Sequence, residues 1–396
     1  MVEHTPGRPL AAGRGSRNEA TRRHNLSTLL SLVHHRQGVS RADLTRATGL
    51  NRSTIGVLVA DLVAGGLVRE TAPATGAVGR PSPIVVPDPD VVTIAINPDV
   101  DAIVVGIVGM GGVVHARERV PMANLPTVEQ MVDVVRVHSA DMLDGTPWRA
   151  VGAGVAIPGL VRVRAGEVAR APHLLWRDEP IAEPLRRALG VPVAVDNDAN
   201  AGLVAESLFG AGRGRSNLVY LNGSVSGIGG SVLNDGAVLR GSDGFAGELG
   251  HTLARSDGEQ CHCGRTGCLE TEVNLQRLER AAGAAGIDHA DVEGSLSRSE
   301  SAVLGAELDH QVDTLARAMA SFVSVFNPEV IVLGGFLSAL HALRGDRLAA
   351  ALEDLAFAPL ADNLDVVRAE LGDELLMVGA AEIAFGDLLA DPLGTG

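Results

Sequence analysis

The chain has 396 residues, 46% of them hydrophobic, and a formal net charge of −15. That length allows two or three domains with real cores. No stretch reads as a membrane span or a signal peptide: the longest apolar run, Ile103 to Val114, is Gly-rich, sits between Asp101 and His115 and reads as buried strands, and the N-terminus has no apolar h-region. Charge is uneven. Residues 1–83 hold 11 Arg against 5 acidic residues, and the remainder is strongly acidic. A basic head on an acidic body predicts that only the head meets a polyanion.

Residues 1–19 are polar and Gly-rich and are expected to form a disordered tail. Leu26, Leu29, Leu30 and Val33 then repeat at helical spacing, predicting a first helix to about Arg36, stopped by Gly38. Ser40 with Asp43 three residues on has the pattern of a capped second helix, with Leu44 and Ala47 facing inward and Thr48-Gly49 turning the chain. A third helix starts near Asn51 and places Ile55, Leu58, Val59 and Leu62 on one side. Two short helices joined by a glycine turn are a helix-turn-helix pattern. Arg52, Ser53, Thr54 and Val57 would face outward, able to reach phosphates and base edges of double-stranded DNA. Leu67–Thr71 and Ser82–Val86 read as the two strands of a wing, with Arg80 in the Gly79-Arg80-Pro81 tip set for a minor groove. Pro87-Asp88-Pro89-Asp90 reads as a short stiff linker.

From residue 91 onward strand and helix patterns alternate, which predicts an α/β body with mixed sheets. Buried strands are expected at 92–96, 103–108, 151–156, 191–195 and 217–222. A hairpin follows at 228–239 around Asn234-Asp235-Gly236, and a strand at 330–333 runs into Gly334-Gly335. All three cysteines, Cys261, Cys263 and Cys268, fall within eight positions, and His251 stands ten residues upstream. Three thiols and an imidazole are the donor set of a closed, structural zinc site. His262 is a rival fourth ligand, but it is wedged between two of the cysteines. Clustered thiols with no spread of pairs fit a reducing cytoplasm.

From about residue 20 to the end the chain resembles the ROK proteins, repressors and sugar kinases on an actin-like (ribonuclease H-like) two-lobed fold. The matching stretches are Val-Asp-Asn-Asp-Ala-Asn-Ala (195–201), Gly-Ile-Gly-Gly (227–230), Ala-Gly-Glu-Leu-Gly-His (246–251), the cysteine loop with Leu269-Glu270, and Asn-Pro-Glu-Val-Ile-Val-Leu-Gly-Gly (327–335). The winged helix resembles the repressor branch in particular. The resemblance implies a DNA-binding head at 20–86, a small lobe at 91–199 with 377–396, and a large lobe at 200–376 carrying the zinc loop. It also implies sugar contacts at Asn197, Asp198, Glu248, His251 and Glu270, and agrees with His251 as the fourth zinc ligand. In the kinases, the residue matching Asp198 is the general base.

One departure from the kinase pattern decides the expected function. Kinases of this group open the body with an Asp-x-Gly-Gly-Thr loop for ATP phosphates. Here Asn97-Pro98-Asp99-Val100-Asp101 has no glycine and two carboxylates, each costing on the order of 1–4 kcal/mol close to a triphosphate. The expectation is therefore a sugar-responsive transcriptional repressor and no enzyme. It would be cytoplasmic, binding an inverted-repeat operator as a homodimer or homotetramer, with a sugar or sugar phosphate as effector. The alternative is an ATP-dependent sugar kinase that keeps a DNA-binding head.

Overall fold

The computed structural model describes residues 14–72, 82–283, 287–288, 291–299 and 301–394. The chain divides into two compact units, Met1–Val91 with Phe385–Gly396, and Val92–Ala384.

In the first unit, α1 (Arg14–His35) leads through β1 (Val39–Ser40) into α2 (Arg41–Thr48) and α3 (Arg52–Ala64), followed by β2 (Val68–Thr71) and β3 (Ile84–Pro87). Leu29, Leu30 and Val33 of α1 are buried with Leu44, Ile55, Val59 and Leu62, so the apolar repeat in the sequence is the core of this unit. Ser40 caps α2 by accepting from the Asp43 N–H, and Gly49 closes it at φ 69°, a left-handed conformation that suits glycine. The strands form a three-stranded sheet of order β1-β3-β2. Three expectations need correcting. Residues 14–19 are helical, extending α1 ahead of its apolar repeat, while residues 1–13 of the expected tail lie outside the described residues. Ala47 is exposed, because in so short a helix only Leu44 reaches the core. The stretch 87–90 is tied down, since Arg69 pairs with Asp88 at 2.8 Å and with Asp90 at 2.5 Å. The last residues also belong here: the Phe385 ring lies 5.2 Å from that of His34, and Arg23 pairs with Asp391.

The second unit holds two five-stranded sheets. The first uses β4 (Val91–Pro98), β5 (Ala102–Gly109), β6 (Val113–Pro121), β7 (Arg149–Ile157) and later β11, in the order β11-β7-β4-β5-β6. β4 and β5 are buried along their whole length, as a central pair covered on both faces must be. Between β6 and β7 runs α4 (Val128–Leu143), with a full capping box at Thr127 and Gln130. Next come β8 (Leu160–Arg162), β9 (Glu167–Ala171) and β10 (Trp176–Pro180), a small separate sheet, and then α5 (Ala182–Leu189). β11 (Val193–Asn197) pairs in parallel with β7 and feeds directly into α6 (Asp198–Phe209).

The second sheet contains β12 (Leu218–Ser224), β13 (Gly227–Asn234) and β14 (Ala237–Val238). After α7 (Leu269–Glu272), α8 (Leu275–Ala282), α9 (Val292–Arg298) and the long α10 (Ala302–Phe326), it adds β15 (Val330–Gly335). After α11 (Phe336–Leu355) and α12 (Ala358–Ala361) it ends with β16 (Asp365–Arg368), and α13 (Leu375–Ala390) follows. The order is β14-β13-β12-β15-β16, with β12, β15 and β16 parallel. α10 and α11 cover one face through Leu308, Val312, Leu315, Met319 and Leu340. Close backbone approach explains two glycines: a Cβ at Gly154 would lie 1.8 Å from the Ala380 carbonyl oxygen, and one at Gly379 would lie 2.3 Å from that of Ala201.

Candidate functional site: a carboxylate-lined cavity and a helix-turn-helix face

The DNA-facing candidates sit at the start of α3. Asn51 caps this helix by accepting from the Thr54 N–H at 2.8 Å. Arg52 and Ser53 are exposed, Thr54 is half-buried, and Val57 is 61% exposed although it lies on an otherwise apolar helix. Arg41 grips Glu70 through two hydrogen bonds, at 2.5 and 2.7 Å, fixing α2 against the wing strand β2. Arg80 lies outside the described residues.

The second unit carries a cavity of about 340 Å³, lined among others by Asn197, Asp198, Glu248, His251 and Glu270. All five residues singled out in the sequence therefore meet. Asn197 and Asp198 arrive at the carboxyl end of parallel strand β11, the usual place for a ligand in such sheets. The Asn197 amide is already committed: its oxygen accepts from the Ala199 and Asn200 N–H groups, and its NH₂ donates to the Gly159 carbonyl at 3.0 Å. Asp198 is pushed up to about 7. Burial is the largest cause, opposed by the Ala199 N–H and assisted by the charges of Glu248 and Asp99. Glu248 is also raised: desolvation is the largest cause, the His251 charge opposes it, and the Glu270 charge adds a smaller push upward.

The glycines of Gly-Ile-Gly-Gly serve close approach. At Gly227, with φ +145°, a Cβ would meet the Glu270 carboxylate at 2.3 Å. At Gly250 a Cβ would lie 1.9 Å from the Ile228 carbonyl oxygen. These two contacts press the turn Glu248–His251 and the helix start at Glu270 against β13.

His251, Cys261, Cys263 and Cys268 offer donor atoms that all lie within 4.8 Å of one another, a possible metal-binding site. Cys261 Sγ is 3.6 Å from His251 Nδ1, and Cys263 Sγ is 3.7 Å from Cys268 Sγ. His262 stands farther from Cys261 Sγ, at 3.9 Å, and joins His251 and Glu270 in a second grouping. Glu270 Oε1 accepts from the Cys261 thiol at 2.8 Å and lies 3.2 Å from His251 Nδ1. Burial pushes the Cys261 thiol well above the usual thiol range. Burial also raises Cys263, but hydrogen bonds from the Arg265 backbone and from neighbouring side chains outweigh it and hold that thiol at about 7.

Residues 93–386 match the ROK family, and residues 25–77 match the MarR family. The chain belongs to the ROK family. It is 26% identical over 390 residues to the xylose repressor of Caldicellulosiruptor bescii, covering 93% of this chain and 97% of that protein. The glucokinase of Streptomyces coelicolor is 31% identical over 315 residues, covering 74% of this chain and 97% of that enzyme. Among solved structures, a ROK family transcriptional regulator homologous to the E. coli MLC protein shares the fold, with a TM-score of 0.78 at 23% identity over 94% of this chain and 98% of its own.

This ROK chain also brings to the cavity residues that the sequence did not single out. Arg170, Pro172 and His173 reach it from the end of β9, and Gly159 from the end of β7. Arg240 pairs at 2.6 Å with Asp196, a buried carboxylate at the foot of Asn197, and so holds the loop that leads to Glu248. No periodicity marks any of these residues.

Proposed function

We propose that this ROK protein is a sugar-responsive transcriptional repressor. The observation that carries this reading is that one chain holds both a MarR-type winged helix with an exposed, capped recognition helix and a cavity ringed by hydroxyl-binding side chains. Carboxylates accept sugar hydroxyls in pairs, and an imidazole edge adds one more partner. Full-length relatives named as xylose repressors support it. One recognition helix reads few bases, so the operator is an inverted repeat bound by a homodimer or homotetramer.

Zinc fits the four-donor cluster. A tetrahedral Zn–S bond of about 2.3 Å implies sulfur–sulfur spacings of about 3.7 Å, matching that between Cys263 and Cys268. His251 would bind through Nδ1, which faces Cys261, leaving Nε2 toward Glu248. Four protein ligands leave no open position, so the ion braces the loop that ends at Glu270 and fixes the tautomer of His251.

The turn between β4 and β5 supports a non-enzymatic role. Its backbone closes on itself, with Asp99 N–H donating to the Ala102 carbonyl at 2.8 Å, while Asp99 and Asp101 are exposed. Such a turn offers carboxylates where a triphosphate needs N–H groups. The competing kinase reading has Asp198 in its favour, since a carboxyl near 7 suits a general base. Fluorescence anisotropy with labelled duplex from the upstream region of the chain's own gene, across a panel of hexoses and pentoses, tests both readings. The expected result is salt-sensitive DNA binding that one sugar or a few weaken, with no ADP formed in a coupled assay. Sugar-dependent ADP release, or indifference to duplex DNA, overturns the proposal.

A further inference from the structure

The mouth of the carboxylate-lined cavity carries positive charge that a neutral sugar does not use. β9 ends with Arg170 and Ala171, then Pro172 and His173 turn over the cavity. The turn is held closely: a Cβ on Gly159 would lie 2.5 Å from the Arg170 carbonyl oxygen, so only glycine lets β9 approach this near. Gly159 in turn accepts from the Asn197 side chain at 3.0 Å. Arg170 is thus built into the same backbone frame as the sugar-binding helix start. His173 stacks edge-on with His262 at 5.0 Å between ring centroids. Nearby Arg162 is engaged with Asp178 at 2.8 Å, whereas Arg170 makes no ion pair among the described residues and is exposed.

An unpaired guanidinium thus lines the same cavity as Asp198, Glu248 and Glu270, and is free to meet a charge carried in by a ligand. Resting on the repressor reading above, we propose that the effector is an anionic sugar. Its hydroxyls are held by the carboxylates on the floor, and its phosphate or carboxylate substituent is held by Arg170, with ring N–H groups of His173 and His262 beside it. A guanidinium matches either oxyanion with two parallel hydrogen bonds. Its charge is permanent, so recognition does not depend on protonation of the imidazoles.

Calorimetric titration of the full chain with matched probes tests this. Glucose is compared with glucose 6-phosphate, xylose with xylose 5-phosphate, and gluconate and glucuronate supply the carboxylate arm. An anionic probe should bind at least about tenfold tighter than its neutral parent, the scale of one charge-assisted hydrogen bond. Arg170→Gln, on an exposed side chain, should weaken the anionic probe by more than its neutral parent and so erase that preference. Which anionic arm wins assigns the substituent. Equal binding of parent and anion, equal loss of both in the variant, or inorganic phosphate binding as tightly as the sugar anion, overturns the inference. If a neutral sugar binds at least as tightly as its anionic counterpart and releases DNA, the repressor reading stands and this one falls; if no probe binds, both fall.

Discussion

Two helices of this molecule begin in the same way and serve different ends. α3 and α6 each start with an asparagine that accepts backbone N–H groups, Asn51 from Thr54 and Asn197 from Ala199 and Asn200. Each N-terminus carries the same partial positive charge. At α3 the next residues are Arg52 and Ser53, exposed, and the first turn holds no acid, so the field and the side chains together favour an outside phosphate. At α6 the next residue is Asp198, and the helix behind it is buried along most of its length. There the field acts on the chain's own carboxyl, and burial still overcomes it, leaving Asp198 at about 7. A cap is generic; the residue after it and the depth of its setting decide what it binds.

The contrast breaks most sharply at the cysteine loop. α3 is held by its own cap and core, whereas the cavity over α6 depends on His251 and Glu270, which the thiol cluster positions. Cys268→Ser should therefore abolish binding of the zinc proposed there and weaken effector binding by about 10–100-fold, the range for disrupting a metal site's supports. Operator affinity of the effector-free protein should stay within about twofold, since no DNA-contacting residue is touched. Elemental analysis for one zinc per chain, with parallel effector and DNA titrations, checks this. Joint loss of both activities would place the metal in the general fold.

Asp198→Asn is expected to have the next largest effect, and its sign is set by burial. The Asp198 carboxyl stands near 7 in the native chain against 3.8 ordinarily. Between those values the folded chain holds a proton that the unfolded chain lacks, so stability falls as pH rises through that window and the full penalty applies above it. Allowing for solvent reaching a half-buried group, Asp198→Asn should stabilise the protein by about 1–3 kcal/mol at pH 8 and by little at pH 4. Thermal unfolding across that range measures it. A variant that loses stability equally at both ends would mean the ionised carboxylate is well satisfied.

Much of the head and the floor of the cavity was legible in the sequence, for physical reasons. The α1 repeat, the Ser40 cap and the Gly49 turn are local signals, and each formed where its residues stand. Cys261, Cys263, Cys268 and His251 were legible because their chemistry admits few other uses. What stayed hidden depends on distant pairing. β6 is half polar because it is an edge strand, so its alternation is weak. β9 reads as loop until β8 and β10 pair with it. Arg170 and Arg240 are positioned by Gly159 and Asp196, partners that neither spacing nor composition reveals.

The smallest expected effect tests the shared start itself. Asn51→Ala removes one side-chain acceptor from an exposed helix end, leaving the Thr54 N–H to water, and should cost about 1 kcal/mol of stability. The Asn51 oxygen also accepts from the Ser53 hydroxyl at 2.6 Å, so the first turn of α3 should loosen as well as fray. Operator affinity should then fall by several-fold, while effector affinity, set at the other asparagine-capped helix, should not move. Hydrogen exchange at the Thr54 and Ile55 amides, read beside DNA and effector titrations, separates the two consequences. Unchanged operator affinity despite faster exchange at α3 would show that this helix start is ordered by the DNA itself. The parallel with α6, whose N-terminal turn is fixed before any ligand arrives, would then end at the cap.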